Sequence, residues 1–272
     1  MVTPVTDTGE AVGLILTGSG AVKAATISID ELRLTPRRLD ALDRKLPNAR
    51  SVAVAAFPYF AGFREPPVSL YAHGADYVPV LRTRMENAAR LLRGRWPQND
   101  FTVLADGSPL PIVEAAHAAG LTLRGKNGLA LLPPYGSFLF LSAIVTDRDW
   151  AALLPPNQTC SDSCTRCLDS CPTGALRDDG LDRDICLSSL SQRRELTEEQ
   201  HALLRKTPTL WGCDLCQLCC PYNEAPQLSP YPEFTENLLP ERFAADDLEG
   251  RACNRYGFAH LERNADIGGL HL

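Results

Sequence analysis

The 272-residue sequence contains no apolar run long enough to cross a bilayer. Its longest apolar stretches, such as 51–56 and 138–145, fall far short of the roughly 20 residues that a membrane helix needs. The first residues are mixed and include acids, unlike a secretory signal. Basic residues do not exceed acidic ones, and the formal charge of −6 argues mildly against a surface built to hold nucleic acid. We therefore expect a globular cytoplasmic protein that does not associate with a membrane.

Cysteine is absent from the first 159 residues and then becomes abundant. Nine of the ten cysteines lie between Cys160 and Cys220, and Cys253 follows alone. A reducing compartment disfavours structural disulfides, so clustered cysteines there indicate metal or redox chemistry.

The cysteine-free part alternates strand-like and helix-like segments. Apolar residues recur at helical spacing in 78–92, and Pro79 falls where the first turn of a helix tolerates proline. The predicted strands are 11–16, 51–57, 101–104 and 138–145, and the predicted helices are 78–92 and 112–119. These segments predict an α+β domain over residues 1–154, with helices layered on a sheet.

The cysteine-rich part is punctuated by proline and glycine from Pro155 onward. We expect a separate domain over 155–232, in which bound metal replaces part of a hydrophobic core. Helices are predicted at 184–194 and 198–206, between the two cysteine groups. Residues 233–272 are expected to form a helical tail that packs on the core.

Two cysteine groups, each ending in Cys-Pro, carry the chemistry. Two-cluster bacterial ferredoxins bind one cluster through short Cys-x2-Cys spacings and reach the other through the distal Cys-Pro. The same crossed pattern predicts two 4Fe-4S clusters here. The predicted ligands are Cys160, Cys164, Cys167 and Cys220 for the first cluster, and Cys171, Cys213, Cys216 and one further upstream cysteine for the second, for which Cys186 is the natural candidate because the second group lacks a leading cysteine of its own.

Two details of this ligand set are irregular. Three residues separate Cys160 from Cys164 where two are usual, and Cys219 stands beside Cys220, where it could compete for a ligand position. For Cys219 and Cys253 we favour the role of small buried hydrophobic residues. Zinc sites also use Cys-x2-Cys pairs, but eight ligands ending in two Cys-Pro steps fit zinc poorly.

About 150 residues precede the cysteines, and they should hold the acceptor to which the clusters pass single electrons. Ordered motifs across 46–267 resemble those of the cobalamin-dependent epoxyqueuosine reductases, which are similar in plan to reductive dehalogenases. The matching segments are Leu46-Pro-Asn-Ala-Arg-Ser51, Tyr71-Ala-His-Gly-Ala-Asp-Tyr77, Val80-Leu81-Arg82, Ala105-Asp106-Gly-Ser-Pro109-Leu110, Gly125-Lys126-Asn127, Tyr135-Gly-Ser-Phe138, Cys171-Pro-Thr-Gly-Ala175, Gly212-Cys-Asp-Leu-Cys-Gln-Leu218 and Arg263-Asn-Ala265.

The resemblance implies a nitroreductase-like α+β domain that binds base-off cobalamin, followed by a ferredoxin-like double-cubane domain. Electrons would pass from an external low-potential donor of ferredoxin or flavodoxin type through the clusters to cobalt. The product would be queuosine, made from epoxyqueuosine in the tRNA anticodon loop. Asp106 matches the proton donor of the family. Eight residues match positions that line the corrin cavity: Tyr71, Gly74, Tyr77, Lys126, Asn127, Tyr135, Gly136 and Ser137.

The sequence departs from the family at positions that concern tRNA. The family commonly carries an arginine seven residues after the catalytic aspartate, where this chain has Val113. We also expect a short form, without the helical-repeat domain that helps longer members to hold tRNA. Two alternatives therefore stay open. The same redox machinery could cleave a carbon–oxygen or carbon–halogen bond in a small molecule, or the protein could be a non-catalytic electron carrier or cobalamin-handling protein.

Overall fold

The computed structural model describes residues 8–65, 67–104, 108–150, 159–178, 180–255 and 257–270. Its α-helices are α1 (Thr8–Gly18), α2 (Pro36–Asp43), α3 (Tyr77–Arg95), α4 (Ile112–Ala118), α5 (Arg166–Asp169), α6 (Leu187–Ser191), α7 (Glu198–Lys206), α8 (Leu215–Leu218), α9 (Pro232–Thr235) and α10 (Ala259–Gly268). Its strands are β1 (Lys23–Ser28), β2 (Ser51–Pro58), β3 (Phe101–Leu104), β4 (Leu123–Arg124), β5 (Ala130–Leu131), β6 (Leu139–Thr146), β7 (Leu176–Arg177) and β8 (Gly180–Leu181). The chain forms two compact units, and the first comprises 1–58, 78–124 and 139–159.

The first unit is built on an antiparallel sheet of order β1-β2-β6-β3. Strand β2 is buried at every position, because alanines and valines face both sides of a central strand. It pairs with β6 from Ser51 opposite Thr146 to Pro58 opposite Leu139. Helix α1 packs against β1, and α4 packs against the two central strands. Helices and sheet together confirm the predicted α+β class.

The predicted strand at 11–16 is wrong, because this segment lies inside helix α1. Val12 and Leu16 are buried one helical turn apart, while Leu14 between them is 64% exposed. An i, i+4 pair defines one face of a helix, whereas a strand would have placed residues 12, 14 and 16 on the same side. The edge strand β1 was missed, since Lys23 and Ser28 give its ends a polar character.

The second unit comprises 59–77, 125–138 and 160–272. It therefore combines the cysteine-rich part with two segments that the sequence placed in the preceding domain. Its larger hydrophobic cluster gathers Val68, Leu210, Trp211, Cys253 and Leu261. Residues 151–158, where a domain boundary was predicted, lie outside the described residues, so that boundary stays a prediction.

The helices of the second unit follow local signals closely. Helix α7 begins and ends as predicted, because Thr197 and Gln200 form a capping box at its start. The helix predicted at 184–194 is only Leu187–Ser191. Its first residues form a turn instead, since the Asp182 carboxylate accepts a hydrogen bond from the Asp184 amide at 2.9 Å. Among the described helices, none is long and apolar enough to cross a membrane.

Candidate functional site

Two loops of the second unit share one local structure. Each runs Cys-x2-Cys-x3-Cys-Pro, from Cys164 to Pro172 and from Cys213 to Pro221. In each loop the middle cysteine lies in a four-residue helix, α5 or α8, and these two helices pack against each other. Each copy of this repeat is only nine residues long, so it does not stand out in the sequence as a repeated pair of helices or strands.

Ser170 and Cys219 occupy equivalent places in the two loops. The Ser170 hydroxyl donates to the carbonyl oxygen of Cys167 at 3.3 Å, and the Cys219 thiol donates to that of Cys216 at 3.6 Å. Ser170 Oγ and Cys219 Sγ also lie 3.1 Å apart. Equivalent residues that touch each other in this way indicate a local pseudo-twofold relation between the loops.

The cysteine thiols fall into two electrostatically interacting groups. The thiol of Cys167 interacts with those of Cys219, Cys160 and Cys220, and the thiol of Cys220 interacts with that of Cys164 as well. The thiols of Cys213 and Cys216 interact with those of Cys186 and Cys171. Cys216 also interacts with Cys167, more strongly than with Cys171, so the two predicted ligand sets adjoin each other, and Cys219 interacts with Cys167 and Cys220.

Burial dominates the chemistry of these thiols. It raises the pKa of Cys213 to about 11 and raises the pKa of Cys216 further. Burial also acts on Cys171, but hydrogen bonds from the Leu176 amide and from Thr173 outweigh it and lower the pKa of that thiol. Because the thiolate is the form that binds metal, assembly of a cluster here must release protons.

The donor set fits four-iron clusters. Among the described residues, no three His, Cys, Asp or Glu side chains converge closely enough to hold a single metal ion. A 4Fe-4S cluster takes four cysteine thiolates, and each predicted ligand set supplies four. An amide also points at one of the sulfurs, since the Lys126 N–H donates to Cys160 Sγ at 3.3 Å.

Asp214 is a structural residue that the sequence analysis did not single out. Its carboxylate accepts hydrogen bonds from the Ser69 hydroxyl at 2.5 Å and from the Leu70 amide at 2.7 Å. Burial raises the pKa of this carboxyl, although both hydrogen bonds oppose that effect. The bonds fix the segment between Cys213 and Cys216 against residues 69–70. The only available signal was its place inside the Gly212–Leu218 motif.

Lys126 and Asn127, predicted to line the corrin cavity, contact the cysteine loops. The Lys126 ammonium donates to the carbonyl oxygens of Asp162 at 2.5 Å and Cys164 at 2.9 Å. The Asn127 amide donates to the Cys216 carbonyl oxygen at 3.0 Å. Both side chains therefore hold backbone next to cluster ligands.

Ser137 is held by a buried amide network. The Asn223 side chain accepts from the Ser137 amide at 2.7 Å and donates to the Ser137 hydroxyl at 2.8 Å and the Gln217 carbonyl oxygen at 2.7 Å. Gln217 donates to the Ser137 carbonyl oxygen at 3.0 Å and contacts the Tyr59 hydroxyl. Gly136 has a φ of +63°, and a Cβ there would overlap the Asn223 side chain.

Replacing Asn223 should destabilise the second unit strongly. The side chain is 1% exposed. Asn223→Ala removes the hydrogen-bond partner of the Ser137 amide, the Ser137 hydroxyl and the Gln217 carbonyl oxygen. A buried polar group left unpaired costs about 1–3 kcal/mol. Three groups lose their partner, so at about 3 kcal/mol in total we expect the thermal midpoint of the reconstituted protein to fall by roughly 6–12 °C. Gln227→Ala, at a nearby exposed position, is the control and should shift the midpoint by less than about 2 °C. Equal midpoints for the two variants would contradict this role.

The remaining predicted corrin residues also contact protein groups. Trp211 Nε1 donates to the Tyr71 hydroxyl at 2.5 Å, and the Arg255 guanidinium lies 4.9 Å from the centre of the Tyr77 ring. A Cβ at Gly74 would lie 2.9 Å from the Phe234 Cα. Tyr135 is half-buried, and its hydroxyl makes no hydrogen bond within the part of the chain that the structure describes. Among the side chains of the eight positions, that of Tyr135 therefore differs from those of Lys126 and Asn127 in making no hydrogen bond to the cysteine loops within the described residues.

Asp106, the predicted proton donor, lies outside the described residues, which resume at Ser108. Val113 lies in the first turn of α4 and is half-buried. The role of Asp106 and the eight corrin contacts stay predictions.

Comparison with known proteins identifies the class first. Residues 159–223 match the family model described as 4Fe-4S double cluster binding domain. The chain is therefore an iron–sulfur protein with a double-cluster domain, which bears out the predicted clusters.

Whole-chain comparisons are more specific. The epoxyqueuosine reductase of Gloeobacter violaceus is 33% identical over 85% of this chain and 79% of its own length. That of Lactococcus garvieae is 37% identical over 68% of this chain and 53% of its own length. The structure of an epoxyqueuosine reductase with a tRNA-Tyr epoxyqueuosine-modified stem loop matches with a TM-score of 0.78 at 23% identity, over 95% of this chain and 80% of that one.

The chain belongs to the epoxyqueuosine reductase family, as its motif order predicted. The solved structure supports the fold, and the 33% identity over most of both chains carries the family assignment. The chain spans about half the length of the Lactococcus garvieae relative, 53%.

Proposed function

We propose that this protein is a cobalamin- and iron–sulfur-dependent reductase that converts epoxyqueuosine to queuosine in tRNA. The observation that carries the proposal is its 33% identity to an epoxyqueuosine reductase over most of both chains. A second support is the binding of an epoxyqueuosine-modified tRNA stem loop by a structural neighbour of the same family. Removal of the epoxide oxygen as water consumes two electrons and two protons, so the protein must deliver both.

The cysteines are proposed to deliver the electrons. Cys160, Cys164, Cys167 and Cys220 would hold one cluster, and Cys171, Cys186, Cys213 and Cys216 the other. The thiol of Cys216 interacts electrostatically with that of Cys167, so the two proposed sets adjoin at these residues. An external low-potential donor of ferredoxin or flavodoxin type would supply electrons one at a time.

Base-off cobalamin is the cofactor that family membership implies, and when bound it supplies a strongly reducing cobalt centre. Three of the eight residues predicted to line its cavity, Lys126, Asn127 and Ser137, hold the cysteine loops. Their proposed role is therefore to position backbone, and Tyr135 is the proposed direct contact. Asp106 is the proposed proton donor, which requires a carboxyl whose pKa is raised by burial.

Variants of Lys126 and Tyr135 distinguish a residue that positions a cysteine loop from a residue that contacts cobalamin. Lys126→Ala removes both bonds to the loop of the first cluster, so iron should be lost several-fold faster to a chelator. Tyr135→Phe removes one hydroxyl and should weaken cobalamin binding by up to about tenfold, with iron content unchanged. Chelator kinetics and a cobalamin titration measure the two effects. Lys45→Ala, at an exposed lysine, is the control for charge. If Lys126→Ala weakens cobalamin binding while retaining iron normally, the positioning role is wrong.

Turnover of epoxyqueuosine tests the proposal directly. The reconstituted full chain with cobalamin and a chemical reductant should convert epoxyqueuosine in an anticodon stem-loop to queuosine, measured by mass spectrometry of the nucleosides. Failure to convert it, in protein that holds about eight irons and cobalamin, would exclude this substrate. Val113, which replaces the arginine of the family, favours a small-molecule substrate as the second candidate. Free epoxyqueuosine nucleoside is therefore the second substrate to assay.

A further inference from the structure

The Arg263-Asn-Ala265 motif lies on helix α10, beyond both cysteine groups in the chain. Asn264 is 1% exposed, and both ends of its side-chain amide are hydrogen bonded. Its Nδ2 donates to the carbonyl oxygens of Ser191 and Leu210, each at 2.8 Å. These two acceptors belong to different segments of the chain, so one buried side chain joins the segments.

Each of the two segments leads to a cysteine proposed to bind the second cluster. Cys186 is the N-cap residue of α6, and Ser191 is the last residue of that helix. Leu210 precedes Cys213 by a single turn of chain. The Gly212 amide also donates to the Ser191 hydroxyl at 2.9 Å. The end of α6 and the approach to Cys213 are thus joined both directly and through Asn264.

Arg263 fixes the orientation of the Asn264 amide. Its guanidinium donates from Nε and Nη2 to Asn264 Oδ1, at 3.2 and 2.8 Å. A guanidinium has donors only, so the amide oxygen faces it and the amide nitrogen faces the two carbonyl oxygens. Arg263 Nη1 also donates to the carbonyl oxygens of Arg193 and Arg194, at 2.6 and 2.9 Å. The same side chain therefore holds the chain that follows α6.

Apolar packing brings the same three segments together. Leu187 and Leu190 of α6 form a buried cluster with Leu204 of α7, and Cys213 and Ile267 pack against it. Ile267 lies on α10, one turn beyond Arg263. Helix α10 therefore meets the surroundings of Cys213 through apolar contacts as well as through hydrogen bonds.

Cys186 depends on such tertiary contacts more than the other proposed ligands of its cluster. Cys171, Cys213 and Cys216 lie in the two Cys-x2-Cys-x3-Cys-Pro loops, where short spacing sets their places. Cys186 stands alone between the loops. We propose that Asn264, oriented by Arg263, is a positioning residue that sets the place of Cys186 relative to Cys213. This inference rests on the proposed assignment of both cysteines to the second cluster.

Asn264→Asp tests this role in the reconstituted full chain. The carboxylate still accepts from Arg263 but has no N–H for the two carbonyl oxygens, and its shape is nearly unchanged. Residues that orient metal ligands typically change metal affinity by about 10–100-fold. With a chelator, about four irons should leave at least about tenfold faster than from the unmodified chain, and the other four within about twofold of the unmodified rate.

Electron paramagnetic resonance identifies the cluster that is lost. After the fast phase the spectrum should match that of Cys216→Ala, which is expected to retain the first cluster alone. Leu248→Ala is the control for general destabilisation, because Leu248 is fully buried in the larger hydrophobic cluster and its side chain has no polar group. It should lower the thermal midpoint by at least about 4 °C without changing the ratio of the two release rates.

Unchanged iron release from Asn264→Asp, or an equal acceleration of both clusters, would overturn the positioning role. If Asn264→Asp does not fold, Arg263→Met gives the same test, because methionine has no donor to orient the amide, and absence of the fast phase would again overturn the role. Cys186→Ala tests the ligand set itself: retention of about eight irons would remove Cys186 from it. These assays contain no substrate, so a failure of epoxyqueuosine turnover is a separate result.

Discussion

Asp106→Asn should reduce the turnover number for epoxyqueuosine by about 10²–10⁴-fold, because general acid catalysis typically contributes that much. The amide has nearly the same shape as the carboxyl but has no acidic proton to donate. Iron content and cobalamin binding should be unchanged, so the lower turnover number would reflect the proton-transfer step and not the loss of a cofactor. Single-turnover assays with pre-reduced protein measure this step without the external donor.

The control for this substitution is Asp40→Asn, at an exposed position on helix α2, which should leave turnover within about twofold. Full activity of Asp106→Asn would remove Asp106 from the mechanism. If turnover of the unmodified protein were also undetectable on every substrate, the non-catalytic alternative, an electron carrier or cobalamin-handling protein, would be favoured.

Cys216→Ala should abolish turnover and halve the iron content, from about eight to about four per chain. Cys216 is one of the proposed ligands of the second cluster, and its thiol is the one that interacts with Cys167 of the first group. Its loss would remove the second cluster and with it the proposed path of electrons through that cluster. Iron analysis and the absorption spectrum of the reconstituted protein measure the effect.

Cys253→Ala is the matched control for that variant. Cys253 is fully buried in the hydrophobic cluster around Trp211 and interacts with no cysteine of either group. We expect unchanged iron and a stability loss of about 1 kcal/mol, because a small buried side chain is shortened. If Cys216→Ala retained about eight irons, Cys216 would not be a ligand.

Local sequence signals predicted the regular elements well where packing agreed with them. Helix α7 was predicted at its observed bounds because its capping box is a local interaction. Strand β3 was likewise predicted at 101–104. The segment at 11–16 was mistaken for a strand because a short apolar run is compatible with either a strand or a helix. Burial of Val12 and Leu16 on the same side shows that the segment is helical.

The sequence by itself determined the clusters and the family. Iron–sulfur ligation depends on cysteine spacing along short loops, and motif order is a property of the chain, so both can be read without a fold. The tertiary structure decided that the two ligand sets adjoin each other and that Cys219 interacts with Cys167 and Cys220. It also showed that Lys126, Asn127 and Ser137 hold the cysteine loops. These contacts join residues about 35 to 90 positions apart, and only folding fixes which of many distant donors and acceptors meet.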